Sequence, residues 1–132
     1  MTTRILLVDD DLAVPKLIGI YLRSYLDDFM IDTMGNGEDT IDMIKGRIDS
    51  NQANALPNIT ILDYRMPGVG GLEVAAELSN LGLKNIYLMT AYISPELIAA
   101  AQLAGARGIM KKSEGFNEVA KKIADIARTM QT

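Results

Sequence analysis

The chain has 132 residues, with 17 Asp and Glu, 13 Lys and Arg, no His and no Cys. The missing imidazole excludes a His base, a His metal ligand and a Ser-His-Asp triad. The missing thiol excludes disulfides, thiolate nucleophiles and Cys-ligated zinc. Any chemistry must therefore use carboxylates, hydroxyls, amines and a hard cation.

The composition predicts a single globular domain over residues 1–132. The length suits one domain, and 48% hydrophobic with 23% charged residues favours a packed fold over disorder. A net charge of −4 argues against nucleic acid as a direct partner. The longest early apolar run, residues 5–8, is too short for a signal peptide or a membrane span, so we expect a cytoplasmic protein without membrane insertion.

Five short apolar runs predict β-strands. Three of them are apolar almost throughout, which is typical of strands buried on both faces of a parallel sheet. The polar segment 49–57 is expected to be a loop. The five runs cover residues 4–8, 29–33, 58–62, 85–89 and 108–110.

Apolar residues at helical spacing predict a helix after each run. The fourth helix begins with Ser94, Pro95 and Glu96, a cap, a proline and an acid in their favoured places. In the fifth, Glu118 precedes Lys122 by four residues, the spacing of an intrahelical ion pair. The alternation predicts a doubly wound α/β fold with a parallel sheet, whose sites form beyond the carboxyl ends of the strands.

Polar residues follow four of the five runs. An isolated Asp, Thr or Lys after a strand is commonly a cap, a turn or a solvated group, and Asp11 is expected to cap the first helix. Their joint occurrence at one edge of a sheet instead favours a functional site. The residues are Asp9, Asp10 and Asp11 after the first run, Asp63 after the third, Thr90 (followed by Ala91) after the fourth, and Lys111 and Lys112 after the fifth.

Electrostatics indicates what such a site binds. Two carboxylates about 4 Å apart repel by roughly 4 kcal/mol at an effective dielectric near 20, so the cluster either raises a pKa or binds a cation. With oxygen ligands only, Mg²⁺ is favoured and Mn²⁺ is an alternative. Mg²⁺ keeps open positions for phosphate oxygens, which a Lys and a Thr would also bind. The pocket thus suits a phosphoryl group with a carboxylate nucleophile. Flavin and dinucleotide binding is disfavoured, because three acids stand where a phosphate-binding loop would be needed.

These residues resemble a receiver domain of the two-component response regulators, over about Thr3 to Arg128. The motifs that carry the resemblance are Ile5-Leu-Leu-Val-Asp-Asp10, Leu62-Asp-Tyr-Arg-Met-Pro67 followed by Gly71-Leu72, Leu88-Met-Thr-Ala91, and Gly105-Ala-Arg-Gly-Ile-Met-Lys-Lys112.

The resemblance implies a flavodoxin-like five-stranded sheet in the order 2-1-3-4-5 with five helices. It also implies the role of each site residue. Asp63 would accept the phosphoryl group, Thr90 would be the switch hydroxyl, and Lys112, rather than Lys111, would be the amine. The implied Mg²⁺ ligands are Asp9, Asp10, Asp63 and the backbone carbonyl of Arg65.

Several positions depart from the usual receiver pattern. Ser113 replaces the proline that commonly follows the lysine, and Ile109 replaces the usual switch aromatic. Arg65 and Tyr92 are bulky where receivers border the path of the attacking water, which predicts slow self-dephosphorylation. Ala91, beside Thr90, joins these modulating positions.

The resemblance implies a signalling domain rather than an enzyme acting on a separate substrate. Since the sequence ends within a few residues of the fifth predicted helix, we expect a stand-alone receiver. Its expected partners are a sensor histidine kinase or a histidine phosphotransfer protein, and a downstream protein that docks on the fourth helix, fifth strand and fifth helix. One alternative is a phosphorylation-independent interaction module on the same fold. Another is an aspartyl-phosphate phosphatase of the haloacid dehalogenase type, although that family needs an Asp where this chain has Arg65.

Overall fold

A computed structural model describes residues 2–130, and within them five parallel strands form one sheet. The order is β2-β1-β3-β4-β5, so the predicted doubly wound sheet and its strand order are confirmed. The strands are β1 (Thr3–Val8), β2 (Phe29–Met34), β3 (Ile59–Asp63), β4 (Ile86–Thr90) and β5 (Gly108–Lys111).

Five α-helices connect or follow the strands of the described chain. Two short 3-10 helices, Ala53–Ala55 and Lys112–Glu114, lie in the loops, the first inside the segment predicted to be irregular. The α-helices are α1 (Ala13–Leu22), α2 (Gly37–Asp49), α3 (Gly71–Asn80), α4 (Pro95–Leu103) and α5 (Phe116–Met130).

Two helix starts can be compared with their predicted caps. The Ser94 side chain accepts a hydrogen bond from the Leu97 amide at 3.1 Å, so the predicted start of α4 is confirmed. Asp11 lies one residue before the Ncap position of α1, and its carboxylate accepts from the Ala13 amide at 3.1 Å. Asp11 therefore satisfies a backbone donor at the start of α1 although it is not the formal cap.

The predicted pair between Glu118 and Lys122 is wrong. The Glu118 carboxylate instead lies 3.5 Å from the ammonium of Lys121, the residue before Lys122. The Lys122 ammonium lies 3.0 Å from the Glu114 carboxylate. Glu114 belongs to the short 3-10 helix just before α5, and it competes for Lys122.

The core has two halves, one on each face of the sheet. Alternate residues of β1 supply both, since Ile5 and Leu7 face α1 and α5, while Leu6 and Val8 face α2, α3 and α4. All five residues of β3 are buried, as the apolar run predicts for a central parallel strand. The edge strand β2 is only partly buried, and Met30 on it is 50% exposed. No helix within residues 2–130 is long and apolar enough to cross a membrane.

Truncating a buried leucine is expected to test this core. Leu88 on β4 is 0% exposed, so Leu88→Ala should lower the free energy of unfolding by about 2–5 kcal/mol through lost burial and a residual cavity. The matched control is Leu103→Ala at the end of α4, where the side chain is 90% exposed and the change should stay within about 0.5 kcal/mol. Urea denaturation followed by circular dichroism measures both. Similar losses for the two variants would contradict the assigned burial.

Candidate functional site

The carboxyl ends of neighbouring strands bring three carboxylates together. Asp9 directly follows β1 and Asp63 ends β3, and these two strands pair side by side. One oxygen from each of Asp9, Asp10 and Asp63 lies within 4.8 Å of the others. Asp9 is 1% exposed and Asp63 is 5% exposed, whereas Asp10 faces solvent. Buried carboxylates this close are costly unless a cation accompanies them.

Gly71 allows the next helix to start against the strand that ends in Asp63. A Cβ at this position would clash with the backbone carbonyl of Asp63 and would lie 2.9 Å from the Cα of Tyr64. The Gly71 amide also donates to the Tyr64 carbonyl at 3.1 Å. The glycine of the Gly71-Leu72 motif thus permits a close helix-strand contact that fixes the backbone next to Asp63.

Lys112 supplies the cation at the carboxylate cluster. Its Nζ lies 3.0 Å from Oδ1 of Asp63 and 3.1 Å from Oδ2 of Asp9. Lys111, the other lysine considered from the sequence, is exposed at the end of β5. The residue just beyond β5 therefore reaches across the ends of β4 and β3 to the acids.

The cluster changes the pKa values of its members. Burial raises the pKa of Asp63 above the ordinary 3.8, since it removes solvent from the charged form; contact with Lys112 opposes this rise and the charge of Asp9 adds to it. Burial alone would lower the pKa of Lys112, but its contacts with Asp63 and Asp9 outweigh burial and raise that pKa above 10.5. Lys112 consequently stays protonated at neutral pH.

An unused acceptor on Asp9 indicates that the site fits a divalent cation. Oδ1 of Asp9 accepts from the Asp11 amide at 2.9 Å. Oδ2 is buried and has the Lys112 ammonium as an ion-pair neighbour at 3.1 Å, but it accepts no hydrogen bond within residues 2–130. A buried carboxylate oxygen with a free lone pair, beside two further carboxylates, is a donor set that suits Mg²⁺ or Mn²⁺.

Thr90 ends β4 and borders the same pocket. The Thr90 hydroxyl donates a hydrogen bond to the Tyr92 carbonyl at 3.2 Å. The Tyr92 amide in turn donates to the Thr90 hydroxyl oxygen at 3.4 Å. The hydroxyl is thus bonded to the loop that follows β4. Thr90 lines an open cavity of about 450 Å³ whose other lining residues are Asp63, Tyr64, Arg65, Ala91, Tyr92 and Lys112.

The two bulky positions predicted to border the water path, Arg65 and Tyr92, line this cavity. Both side chains are exposed, and Tyr92 is 83% exposed. The Arg65 guanidinium lies 5.9 Å from the centre of the Tyr64 ring, within the range of a cation–π contact. The structure therefore brings both residues to the pocket mouth.

The remaining modulating position, Ile109, lines a different cleft from the one that contains Asp63. Ile109 on β5 is half-buried and lines a cleft of about 240 Å³ with Ile93 and Ile98 among its other residues.

Ser113 lies in the 3-10 helix that begins at Lys112, and every peptide bond within the described residues 2–130 is trans.

One contact near the site has no signature in the motifs. The Glu38 carboxylate, at the start of α2, accepts a hydrogen bond at 2.9 Å from the Val69 amide in the loop after β3. An acid in the first turn of a helix is common for helix stability alone, so the sequence offers no sign of this long-range contact.

Comparison with known proteins agrees with the fold. The sequence pattern of the response regulator receiver domain matches residues 5–124. The transcriptional regulatory protein DesR of Bacillus subtilis is 29% identical over 122 residues, 92% of this chain and 57% of that protein. The probable transcriptional regulatory protein NarL of Mycobacterium tuberculosis is 35% identical over 74 residues, 55% of this chain and 34% of that protein. The chain therefore spans less than two thirds of the length of these relatives.

Solved structures of response regulators share this fold. The receiver domain of the putative response regulator NarL from Mycobacterium tuberculosis superposes with a TM-score of 0.74 at 25% identity, covering 96% of this chain and 97% of that one. The Mn²⁺-bound form of the response regulator Rcp1 shares the fold, with a TM-score of 0.75 at 20% identity over 92% of this chain and 91% of that one.

The strand order and the acidic cluster at the carboxyl edge of the sheet fit the response regulator receiver domains, which are signalling phosphoacceptors rather than classical enzymes. The chain belongs to the receiver domain family of the two-component response regulators. Members of this family bind Mg²⁺ through an acidic cluster and interact with histidine kinases or phosphotransfer proteins and with downstream partners. The family match decides against the haloacid dehalogenase alternative.

Replacing Asp63 by Asn is expected to raise the free energy of unfolding at neutral pH in EDTA. Folding raises the pKa of Asp63, so this group favours the folded state below its unfolded pKa and loses that contribution as pH rises through its folded pKa. At neutral pH the charged carboxylate therefore destabilises the fold, whereas Asn is neutral throughout. The advantage of the variant should shrink as pH falls toward about 3.9, the pKa of a free Asp.

Urea unfolding at several pH values measures this difference. The exposed Asp42 on α2 provides a matched control, since Asp42→Asn should give no comparable gain. A variant Asp63→Asn no more stable than wild type at neutral pH would contradict the destabilising role of the Asp63 charge.

Proposed function

We propose that Asp63 accepts a phosphoryl group from a phosphohistidine of a sensor histidine kinase or a histidine phosphotransfer protein. One observation carries the proposal: the Lys112 ammonium lies about equally far from Asp63 and Asp9, in a carboxylate cluster that also includes Asp10. A carboxylate nucleophile, a fixed cation and further acids for a metal are together the groups that phosphoryl transfer to an aspartate requires.

The transfer exchanges one bond to phosphorus for another. A carboxylate oxygen of Asp63 attacks the phosphorus, a P–O bond forms, and the P–N bond to the donor imidazole breaks. The leaving imidazole takes up a proton from solvent. These 132 residues contain no His, so the donor imidazole lies outside this domain.

The proposed Mg²⁺ ligands are Asp9, Asp10, Asp63 and the backbone carbonyl of Arg65, and Mn²⁺ suits the same oxygens. A divalent cation there supplies the positive charge that offsets the acids and the phosphoryl oxygens. Lys112, now between Asp9 and Asp63, can remain bonded to Asp63 and also contact a phosphoryl oxygen. Removal of the cation should therefore prevent transfer.

Thr90 would couple phosphorylation of Asp63 to a change at the protein surface. Its hydroxyl must leave Tyr92 to donate to a phosphoryl oxygen, and this exchange changes the bonding of the loop after β4. That loop leads into α4, which packs beside β5. We assign the switched surface to α4, β5 and α5, including Ile109, as the docking face for an unidentified downstream protein.

Incubation with acetyl phosphate and Mg²⁺, followed by intact-mass spectrometry, tests the phosphoacceptor. Wild type should gain the mass of one phosphoryl group, and the gain should be absent in Asp63→Asn and in wild type with EDTA. Asp42→Asn, at an exposed site on α2, should be labelled like wild type. Absence of labelling in wild type would favour the phosphorylation-independent module and overturn the proposal.

Arg65→Ala is expected to shorten the lifetime of the acyl phosphate. The Arg65 side chain lies at the cavity mouth, and its removal gives water a wider approach to the phosphorus. Loss of label should become about tenfold faster, which corresponds to a barrier lower by roughly 1.4 kcal/mol. Intact mass followed over time after removal of the donor measures this rate.

A variant of an exposed arginine far from the cavity controls for charge. Arg23→Ala, at the end of α1, should dephosphorylate like wild type. Rapid loss from wild type that Arg65→Ala does not accelerate would contradict the role of Arg65 in excluding water.

A further inference from the structure

The loop between β3 and α3, residues 64–70, rests against the start of α2. A Cβ at Gly37, the first residue of α2, would lie 2.8 Å from the Val69 carbonyl oxygen and 2.6 Å from a methyl of Val74. Any larger side chain would therefore separate the loop and α3 from α2. Gly37 permits a close contact that places the far end of the loop on the first turn of α2.

Glu38, the next residue, adds a directional contact at the same place. Its Oε1 accepts the hydrogen bond from the Val69 amide at 2.9 Å. Gly68 has a φ of +77°, and a Cβ there would lie 2.7 Å from the same oxygen. A left-handed turn at Gly68 thus leaves room for the carboxylate beneath the Gly68–Val69 peptide.

The same loop carries Arg65, whose backbone carbonyl is a proposed ligand of the divalent cation. The loop is attached at one end to β3 through Asp63 and near its other end to α2 through Val69. On the basis of the function proposed above, we infer that Glu38 is a positioning residue, which holds this loop so that the Arg65 carbonyl faces the acidic cluster. Glu38 itself touches neither the acceptor nor the acids within the hydrogen bonds and ion pairs of residues 2–130.

The inference has a reciprocal consequence. If the contact between Glu38 and Val69 favours the loop conformation that binds the cation, then the cation favours the contact by the same factor. Mg²⁺ should therefore slow hydrogen exchange of the Val69 amide in wild type. A purely structural acid at a helix start would affect stability without linking the Val69 amide to Mg²⁺.

Two substitutions at Glu38 separate the hydrogen bond from the charge. Glu38→Ala removes the acceptor, whereas Glu38→Gln keeps an acceptor oxygen at the same reach and loses the charge. Asp42→Ala, at an exposed site one turn further along α2, makes the same change in net charge as Glu38→Ala. Circular dichroism and thermal unfolding verify that each variant is folded before binding is measured.

Calorimetric titration of the full 132-residue chain with MgCl₂ gives the first readout. Glu38→Ala should weaken Mg²⁺ binding about threefold, the size expected for losing one exposed hydrogen bond that holds a ligand-bearing loop. Glu38→Gln should bind within about twofold of wild type, since the acceptor is retained. Asp42→Ala should bind like wild type. Equal weakening in the Gln and Ala variants would assign the effect to charge and overturn the inference.

Hydrogen exchange at the Val69 amide, followed by NMR, gives the second readout. Exchange should be faster in Glu38→Ala than in wild type, and Mg²⁺ should protect this amide strongly only where the acceptor is present. If wild type binds Mg²⁺ and Glu38→Ala binds it equally well, the positioning role is wrong and the proposed function stands. If wild type binds no Mg²⁺, the metal-dependent function and the positioning role both fail.

Discussion

The arrangement of this molecule depends on the repulsion between two buried carboxylates, Asp9 and Asp63. Placing them at the ends of adjacent strands costs free energy that burial increases, and Lys112 offsets part of it from just beyond β5. This balance requires β1 and β3 as neighbours and β5 close enough for a lysine to span β4. The strand order satisfies both conditions, so the sheet topology and the charge cluster depend on one another.

Most of the fold follows from the sequence, for physical reasons that can be named. The apolar run of β3 has no polar face, so its burial on both sides is predictable, and Ser94 with Pro95 marks the start of α4. The strand order needed the family resemblance, since alternation alone fixes a parallel sheet but not which strands are neighbours. The pair between Glu118 and Lys122 failed because helical spacing ignores competing residues outside the helix, here Glu114.

The site was predictable as a set of residue types, but its contacts were not. The acids at the strand ends indicate a hard cation from charge alone. The sequence could not reveal that the Thr90 hydroxyl is bonded to the Tyr92 backbone, because this depends on how the loop after β4 turns. The contact of Glu38 is unpredictable for a similar reason, since its partner Val69 lies 31 residues away and shares no motif with it.

The position of β5 affects the local stability of the pocket. This strand has four residues, lies at the edge of the sheet and, within residues 2–130, pairs with β4 alone. Edge strands open locally at a lower free energy than central strands. Lys112, which compensates the acids, thus directly follows one of the less stable strands of the sheet, whereas Asp9 and Asp63 lie at the ends of central strands. A brief detachment of β5 would leave two negative charges facing each other, and their repulsion would favour return of the strand or capture of a metal ion.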